Sequence, residues 1–226
     1  MFKARITSLG DIGTTALLIC ERGPGDLMPE GLERSDIELP SEPLVLRQVH
    51  GGTVHYIDSV KVTEETRGAF GDGLIVTAPG IPVGIATADC IPLIIADISG
   101  KCAGVIHCGW KPITAGIIEN AMSLALSDPE VRPSNLRFIL GPGILGDEYE
   151  IGADVAVRFP KTAKPKGDGK FLLDLPEEII LRLGNFGIPR EAITPSGLSS
   201  FACNWLPSYR RDGDSASRMM TLVWLG

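Results

Sequence analysis

Three side chains able to hold a metal or to attack a carbon stand at the ends of apolar runs. His50 closes Arg47-Gln48-Val49-His50-Gly51. Cys90 sits in Thr87-Ala88-Asp89-Cys90-Ile91-Pro92, at the junction of two apolar runs. His107 ends Gly104-Val105-Ile106-His107, just ahead of Cys108-Gly109-Trp110. Polar groups at strand ends, released by Gly or Pro, are where a rigid scaffold presents a site. Each residue alone has a structural explanation, since a strand-end His often serves only as a hydrogen-bonding group and a Cys in apolar surroundings acts as a small hydrophobe. The case for chemistry is joint: two of only three histidines and one of five cysteines share the same context. His55, alternating with Val54 and Tyr56, is expected to face solvent, and Cys102 and Cys108 are expected to be buried hydrophobes.

If the three side chains converge, two chemistries are open. A thiolate with two imidazoles selects zinc or copper over magnesium or calcium, and three protein ligands leave a fourth position for water or substrate. Zinc would lower the pKa of a bound water to about 7. Asp89, beside Cys90, would then orient a ligand or carry a proton. Without metal, the same atoms read as a Cys90 nucleophile with His107 or His50 as its base. Sequence spacing does not separate the two.

Two further stretches look like site builders. Gly141-Pro142-Gly143-Ile144-Leu145-Gly146 could offer backbone N–H groups to an anion, but it lacks the Lys-Ser/Thr of a nucleotide-phosphate loop and also reads as a plain turn. Ser208-Tyr209-Arg210-Arg211-Asp212-Gly213 is either a solvated charged turn or an Arg fork for phosphate or carboxylate, with Tyr209 stacking on a ring.

These positions need a strand-rich scaffold. Short apolar, β-branched runs predict strands over residues 15–20, 44–49, 53–57, 73–77, 83–87, 93–97, 103–107, 137–140 and 220–225. Runs without polar alternation, such as Leu93-Ile94-Ile95-Ala96, predict strands covered on both faces. Helical spacing predicts a helix over 114–127, a second over 176–183 and a short third over 152–158. The lysine-rich stretch 160–169 reads as a surface loop. Nothing marks a domain boundary in the 226 residues, so one mixed α/β domain spanning 1–226 is expected. With 21 Lys+Arg against 28 Asp+Glu, the net charge is -7, which argues against nucleic-acid or anionic-membrane partners. No apolar run reaches the roughly 18–20 residues of a membrane span. Gly10, Asp11 and Gly13 break up the start of the chain, so no signal peptide is expected and the protein is expected in the cytoplasm, its odd cysteine count consistent with reduced thiols.

Five motifs then coincide in order: Gln48-Val49-His50-Gly51, Asp72-Gly73 with Thr87-Ala88-Asp89-Cys90-Ile91-Pro92, His107-Cys108-Gly109-Trp110, Gly141-Pro142-Gly143-Ile144 with Tyr149-Glu150-Ile151-Gly152, and Tyr209-Arg210-Arg211-Asp212-Gly213. From about residue 44 onward the chain resembles the YfiH/YlmD family, also called laccase-domain or polyphenol-oxidase-like. The resemblance implies an α+β fold, a four-layer α-β-β-α sandwich with mixed sheets, shared with a deamidating bacterial toxin. It implies zinc, with copper as the lesser alternative, on His50, Cys90 and His107. Beside that set, this sequence offers Asp89 as a further catalytic group and Gln48, Arg47, Arg211 and Tyr209 as substrate contacts. The implied activity is that of a purine nucleoside enzyme, by phosphorolysis of adenosine, inosine and methylthioadenosine and by deamination of adenosine. The partners are then a nucleoside and phosphate, and the protein a monomer or small homo-oligomer. Other functions remain open: a Cys–His amidase or deamidase, peptidoglycan-precursor editing, copper-dependent phenol oxidation, or a non-catalytic metal-binding role. Three histidines cannot supply the imidazoles of a multicopper oxidase, which weighs against phenol oxidation. The family's Asn-Leu-Gly and Asn-Arg segments are not found upstream of Gln48. Cys108, Lys111-Pro112 and Asp147-Glu148 also depart from its usual residues, leaving Arg34, Arg47 or Arg211 to replace the lost anion contacts.

Overall fold

The computed structural model of the protein describes residues 1–6, 13–24 and 32–226. Gly10 and Asp11, on which the leader reading partly rests, lie outside the described residues. Two six-stranded mixed sheets face each other. The first contains β1 (Phe2–Ile6), β2 (Thr14–Cys20), β3 (Leu32–Arg34), β4 (Leu44–Val45), β7 (Val83–Thr87) and β15 (Met219–Leu225), in the order β3-β1-β2-β15-β7-β4. The second contains β5 (Val54–Ile57), β6 (Gly73–Val76), β8 (Ile91–Asp97), β9 (Ala103–Cys108), β10 (Leu136–Leu140) and β14 (Ile193–Pro195), in the order β14-β10-β8-β9-β6-β5. A small third sheet, β11 (Glu150–Gly152), β13 (Lys170–Leu173) and β12 (Ala163–Gly167), flanks them.

The central strands of the second sheet, β6, β8 and β9, are buried on both faces, which is why they carry no polar alternation. Along β8, Ile91, Leu93 and Ile95 join the core beneath the helices, while Ile94 and Ala96 face the first sheet. Along β9, Ile106 and Cys108 face the helices, and Ala103 and Val105 face the first sheet. The helical layer over the second sheet is built mainly from α3 (Ile117–Ala125) and α5 (Leu175–Gly184), with α2 (Trp110–Thr114) and α4 (Ala153–Ala156) beside them. Asp174 caps α5 by accepting a hydrogen bond from the Glu177 N–H at 2.9 Å, and Pro176 suits its first turn. On the outer face of the first sheet, Leu17, Leu222 and Trp224 pack against Ile37 and Leu39 of an extended segment. The α/β sandwich with mixed sheets follows the expectation.

Three local expectations are corrected. The helix expected over 114–127 is two helices, because Gly116 adopts φ 79 between α2 and α3, a conformation glycine takes without steric cost. The strand expected over 44–49 ends at Val45. The Gln48 side chain instead grips the backbone of Ala86, donating from Nε2 to its carbonyl at 2.9 Å and accepting from its N–H at 2.8 Å. The loop expected over 160–169 contains β12, an edge strand whose exposure hides any apolar pattern. A further helix, α1 (Val60–Thr66), and the short α6 (Tyr209–Asp212) complete the fold.

Candidate functional site

His50, Cys90 and His107 meet. One donor atom from each lies within 4.8 Å of the others, and the two imidazole centroids are 4.7 Å apart, edge to face. Cys90 directly precedes β8 and His107 lies in β9, adjacent strands paired in the register Ile91↔Cys108 and Pro92↔His107. His50 arrives on the loop after β4, with φ 56. Gly109 leaves the thiol its space, since a Cβ there would lie 2.5 Å from Cys90 Sγ.

Wholly buried Asp72, just ahead of β6, ties the group together. Its carboxylate accepts the backbone N–H groups of Val49, His50 and Gly51 at 3.2, 2.9 and 2.8 Å and faces His107 Nδ1 at 2.9 Å. The Gln48 amide nitrogen also lies 3.0 Å from that nitrogen, but it can only donate. The charged carboxylate is the stronger partner and the one acceptor of the two, so Nδ1–H donates to it and Nε2 is left for the cluster. Burial disfavours the charged forms here, but the partners overturn it. Hydrogen bonds and charge from His107 and His50 bring the Cys90 thiol down from 9.0 to about 7. Asp72 and Cys90 lift His107 from 6.5 to about 9. Without metal, the two shifts reinforce each other and favour a thiolate–imidazolium pair of Cys90 and His107. The remaining cysteines behave differently: burial pushes Cys20 and Cys102 up to about 12 and Cys108 well above its ordinary value.

The cluster opens on a cavity of about 590 Å³, within the usual range for small-molecule sites. Besides the cluster, its walls include Gln48, Thr87, Asp89, Trp110, Lys111, Tyr149, Tyr209, Arg210 and Arg218. Asp89 holds one wall in place. Its Oδ1 accepts from Ser200 Oγ at 2.7 Å, its Oδ2 from the Arg210 N–H at 2.6 Å, and its carbonyl from the Ile144 N–H at 2.8 Å. Those contacts sustain a φ of 86, a backbone conformation that costs an L-residue about 1–3 kcal/mol. Arg210 lies 5.1 Å over the Tyr149 ring, and Lys111 Nζ 5.6 Å over Trp110.

Of the substrate contacts named from sequence, Gln48 and Tyr209 line this cavity. Arg47 and Arg211 do not. Arg47 lies 5.9 Å over the exposed Phe70 ring. The Arg211 guanidinium donates to the carbonyls of Ser200, Phe201 and Leu206 at 2.8–3.0 Å, which makes it a clasp for the 200–206 turn. Arg34 stands over Phe2, beyond the cavity walls. Of the two readings of residues 141–146, the plain turn is the one the contacts favour, because the Gly141, Gly143 and Ile144 N–H groups are spent on the carbonyls of Pro92, Leu198 and Asp89. His55 is half-buried and bonded to the Phe70 carbonyl at 3.0 Å. Sequence reasoning gave no role to Asp72, Trp110, Lys111, Tyr149 or Arg218. An acid immediately before the all-apolar run of residues 73–76 was a usable signal for Asp72, and adjacency to His107 for Trp110 and Lys111.

The fold and the cluster define a class of two-sheet α/β sandwiches with a His–Cys–His group where strands from both sheets end. A sequence model described as multi-copper polyphenol oxidoreductase laccase matches residues 32–226. The chain is 32% identical over 190 residues to a purine nucleoside phosphorylase of Deinococcus radiodurans, covering 80% of this chain and 69% of that protein. It is 31% identical over 195 residues to the purine nucleoside phosphorylase YfiH of Escherichia coli, covering 83% and 75%. Among solved structures, it superposes on a YfiH protein of Bacillus licheniformis with a TM-score of 0.78 at 20% identity, covering 94% and 93%. It superposes on YlmD of Geobacillus stearothermophilus with 0.77 at 21%, covering 94% and 92%; both likenesses are of fold. The chain belongs to the laccase-domain, or YfiH/YlmD, family.

Among the described residues no helix is long and apolar enough to cross a membrane.

Proposed function

We propose that this protein is a metal-dependent purine nucleoside enzyme that cleaves the glycosidic bond of adenosine, inosine and methylthioadenosine with phosphate, and that also deaminates adenosine. The observation that carries the reading is the convergence of His50, Cys90 and His107 on an open cavity whose walls combine aromatic rings with cations. The names of the Deinococcus and Escherichia relatives supply the substrate class.

The donor set fits zinc. Tetrahedral bonds of about 2.0–2.3 Å put three N/S donors about 3.3–3.6 Å apart, so the cluster at up to 4.8 Å needs to close by only about an ångström. Copper is the alternative occupant for such ligands. Bound there, the metal supplies Lewis acidity and lowers the pKa of water. The residues around it do the rest. In phosphorolysis a phosphate oxygen bonds to the ribosyl C1′ as the C1′–N bond breaks, and the departing purine takes up a proton. Lys111, Arg210 and Arg218 supply cationic walls for the phosphate, replacing the Arg47 and Arg211 proposed from sequence. Trp110, Tyr149 and Tyr209 offer faces to the base, while Gln48 and Asp89 keep the walls fixed. Asp89 is proposed to pass a proton in deamination through lone pairs not taken by Ser200 and Arg210.

The test is mass-spectrometric analysis of products from adenosine plus phosphate, with metal quantified in the same preparation. Adenine with ribose 1-phosphate, together with inosine, is expected, and both activities should vanish on chelation. Stoichiometric metal with no turnover of any of the three nucleosides would refute the proposal. The Asp72–His107–Cys90 chain of contacts favours one second reading, a metal-free thiol hydrolase of the Cys–His type. Full activity without metal, abolished by a thiol alkylator, would select it.

A further inference from the structure

We propose that Asp72 is the positioning residue of this site, one buried carboxylate that sets both the ring of His107 and the loop that carries His50. The inference rests on the reading of His50, Cys90 and His107 as metal ligands. Its basis is a count of donors and acceptors. A carboxylate has about four lone-pair positions, and Asp72 uses all of them: the Val49, His50 and Gly51 N–H groups and His107 Nδ1. Three successive N–H groups turned toward one anion form a concave nest, and here a side chain of the same protein fills it. That nest holds His50 at its φ of 56. The fourth contact keeps the His107 proton on Nδ1, so that Nε2 presents a lone pair to the cluster. Two donors from separate elements are thus registered by the same side chain, which is 0% exposed.

Asp72→Asn cannot reproduce this. An amide has one oxygen with two lone pairs and brings two N–H donors. If its NH₂ faces His107, the ring proton must move to Nε2 and the donor lone pair is lost. If it takes the place of Oδ2 instead, the Val49 and Gly51 N–H groups on either side of His50 lose their acceptor, and the loop that carries His50 is loosened. Either orientation disturbs the placement of an imidazole: Oδ1 serves both His107 and the His50 N–H, and Oδ2 serves the two N–H groups that flank His50.

The experiment titrates zinc into wild-type and Asp72→Asn protein against a chromophoric chelator, and reads the His107 ring by long-range ¹⁵N–¹H NMR. The ring is read in the zinc-loaded protein and in metal-free protein at a pH above the ring's own titration. The expected result is an Nδ1–H ring in wild type, loss of that form in the variant, and zinc affinity lowered about 10- to 100-fold. The His55 ring signals should stay unchanged in both proteins. An Nε2–H ring in the wild type, or a variant with wild-type affinity and an unmoved ring proton, overturns the proposal. The wild-type ring measurement stands even if the variant does not fold. A wild type that binds no zinc, yet keeps Nδ1–H against Asp72, refutes the metal reading and leaves the orientation of His107 by Asp72 supported.

Discussion

Gly109→Ala is the sharpest perturbation of the site. A Cβ at this position would stand 2.5 Å from Cys90 Sγ, whereas ordinary contact begins at 3.4 Å, so the sulfur or the backbone must move by about 0.9 Å. Pro112 Cδ, 3.5 Å on the other side, is already at contact distance and limits retreat of the backbone. The backbone of Gly109 is extended, at φ -94 and ψ 170, so alanine meets no conformational strain. Gly109 caps α2, where alanine is worse by about 0.5–1 kcal/mol. The smaller entropy of the unfolded alanine chain returns about 0.4–1 kcal/mol. Stability should therefore stay near wild type while the thiol is displaced. A filled metal site holds its bond lengths to about 0.2 Å, so a sulfur wedged about 0.9 Å aside by the new Cβ cannot close onto the metal as the wild-type cluster does. A 1 Å misplacement of catalytic geometry can cost about 100-fold in rate. The expected result is a melting temperature within a few degrees of wild type, with nucleoside turnover down about 100-fold and weaker zinc binding by chelator competition. Wild-type zinc affinity and rate in a folded Gly109→Ala protein would show that Cys90 Sγ is not where the reaction needs it.

In metal-free protein, alkylation of Cys90 should rise with pH through about 7, where its thiolate forms, while Cys20 and Cys102, held near 12, stay unlabelled at neutral pH. His107→Ala removes the hydrogen bond and charge that do most to oppose burial, so the midpoint should climb toward or beyond the ordinary thiol value, which rate-against-pH measurements would read. Lys111→Ala should raise KM for phosphate with little change in melting temperature, and Arg218→Ala should raise it too while also giving up the bonds of its guanidinium to the Ala216 and Ser217 carbonyls. Arg211→Ala should do the reverse, costing about 1.5–3 kcal/mol for its charged hydrogen bonds to three carbonyls, as thermal unfolding will show. Chelation followed by zinc addition should abolish and then restore both nucleoside reactions.

The strands under the helices were legible because burial on both faces writes an unbroken apolar run, as in β8. Elements whose residues face solvent leave no such trace, and β12, with Lys164 and Lys166 on an outer edge, reads as a loop for that reason. The break between α2 and α3 was hidden because residues 117–125 keep helical spacing whatever the backbone does at Gly116. At the site, residue types and placement at the ends of apolar runs were enough to bring out His50, Cys90 and His107, although the strand before His50 stops at Val45. The arginines were not separable by type, since Arg211 turns back on carbonyls while Arg210, its neighbour, lies over Tyr149. Direction of a long side chain is decided by tertiary contacts that a linear pattern does not contain.

The chain passes from one sheet to the other between Thr87 and Ile91, and the thiol sits on that bridge. His50 follows a strand of the first sheet, and His107 lies within a strand of the second. An ion or ligand seated among the three therefore acts as a rivet through both leaves of the sandwich, and sliding of one leaf over the other would shear it. Filling the site should slow amide exchange along the facing ends of β7, β8 and β9 together, so that the interior of the sandwich reports on what its mouth holds.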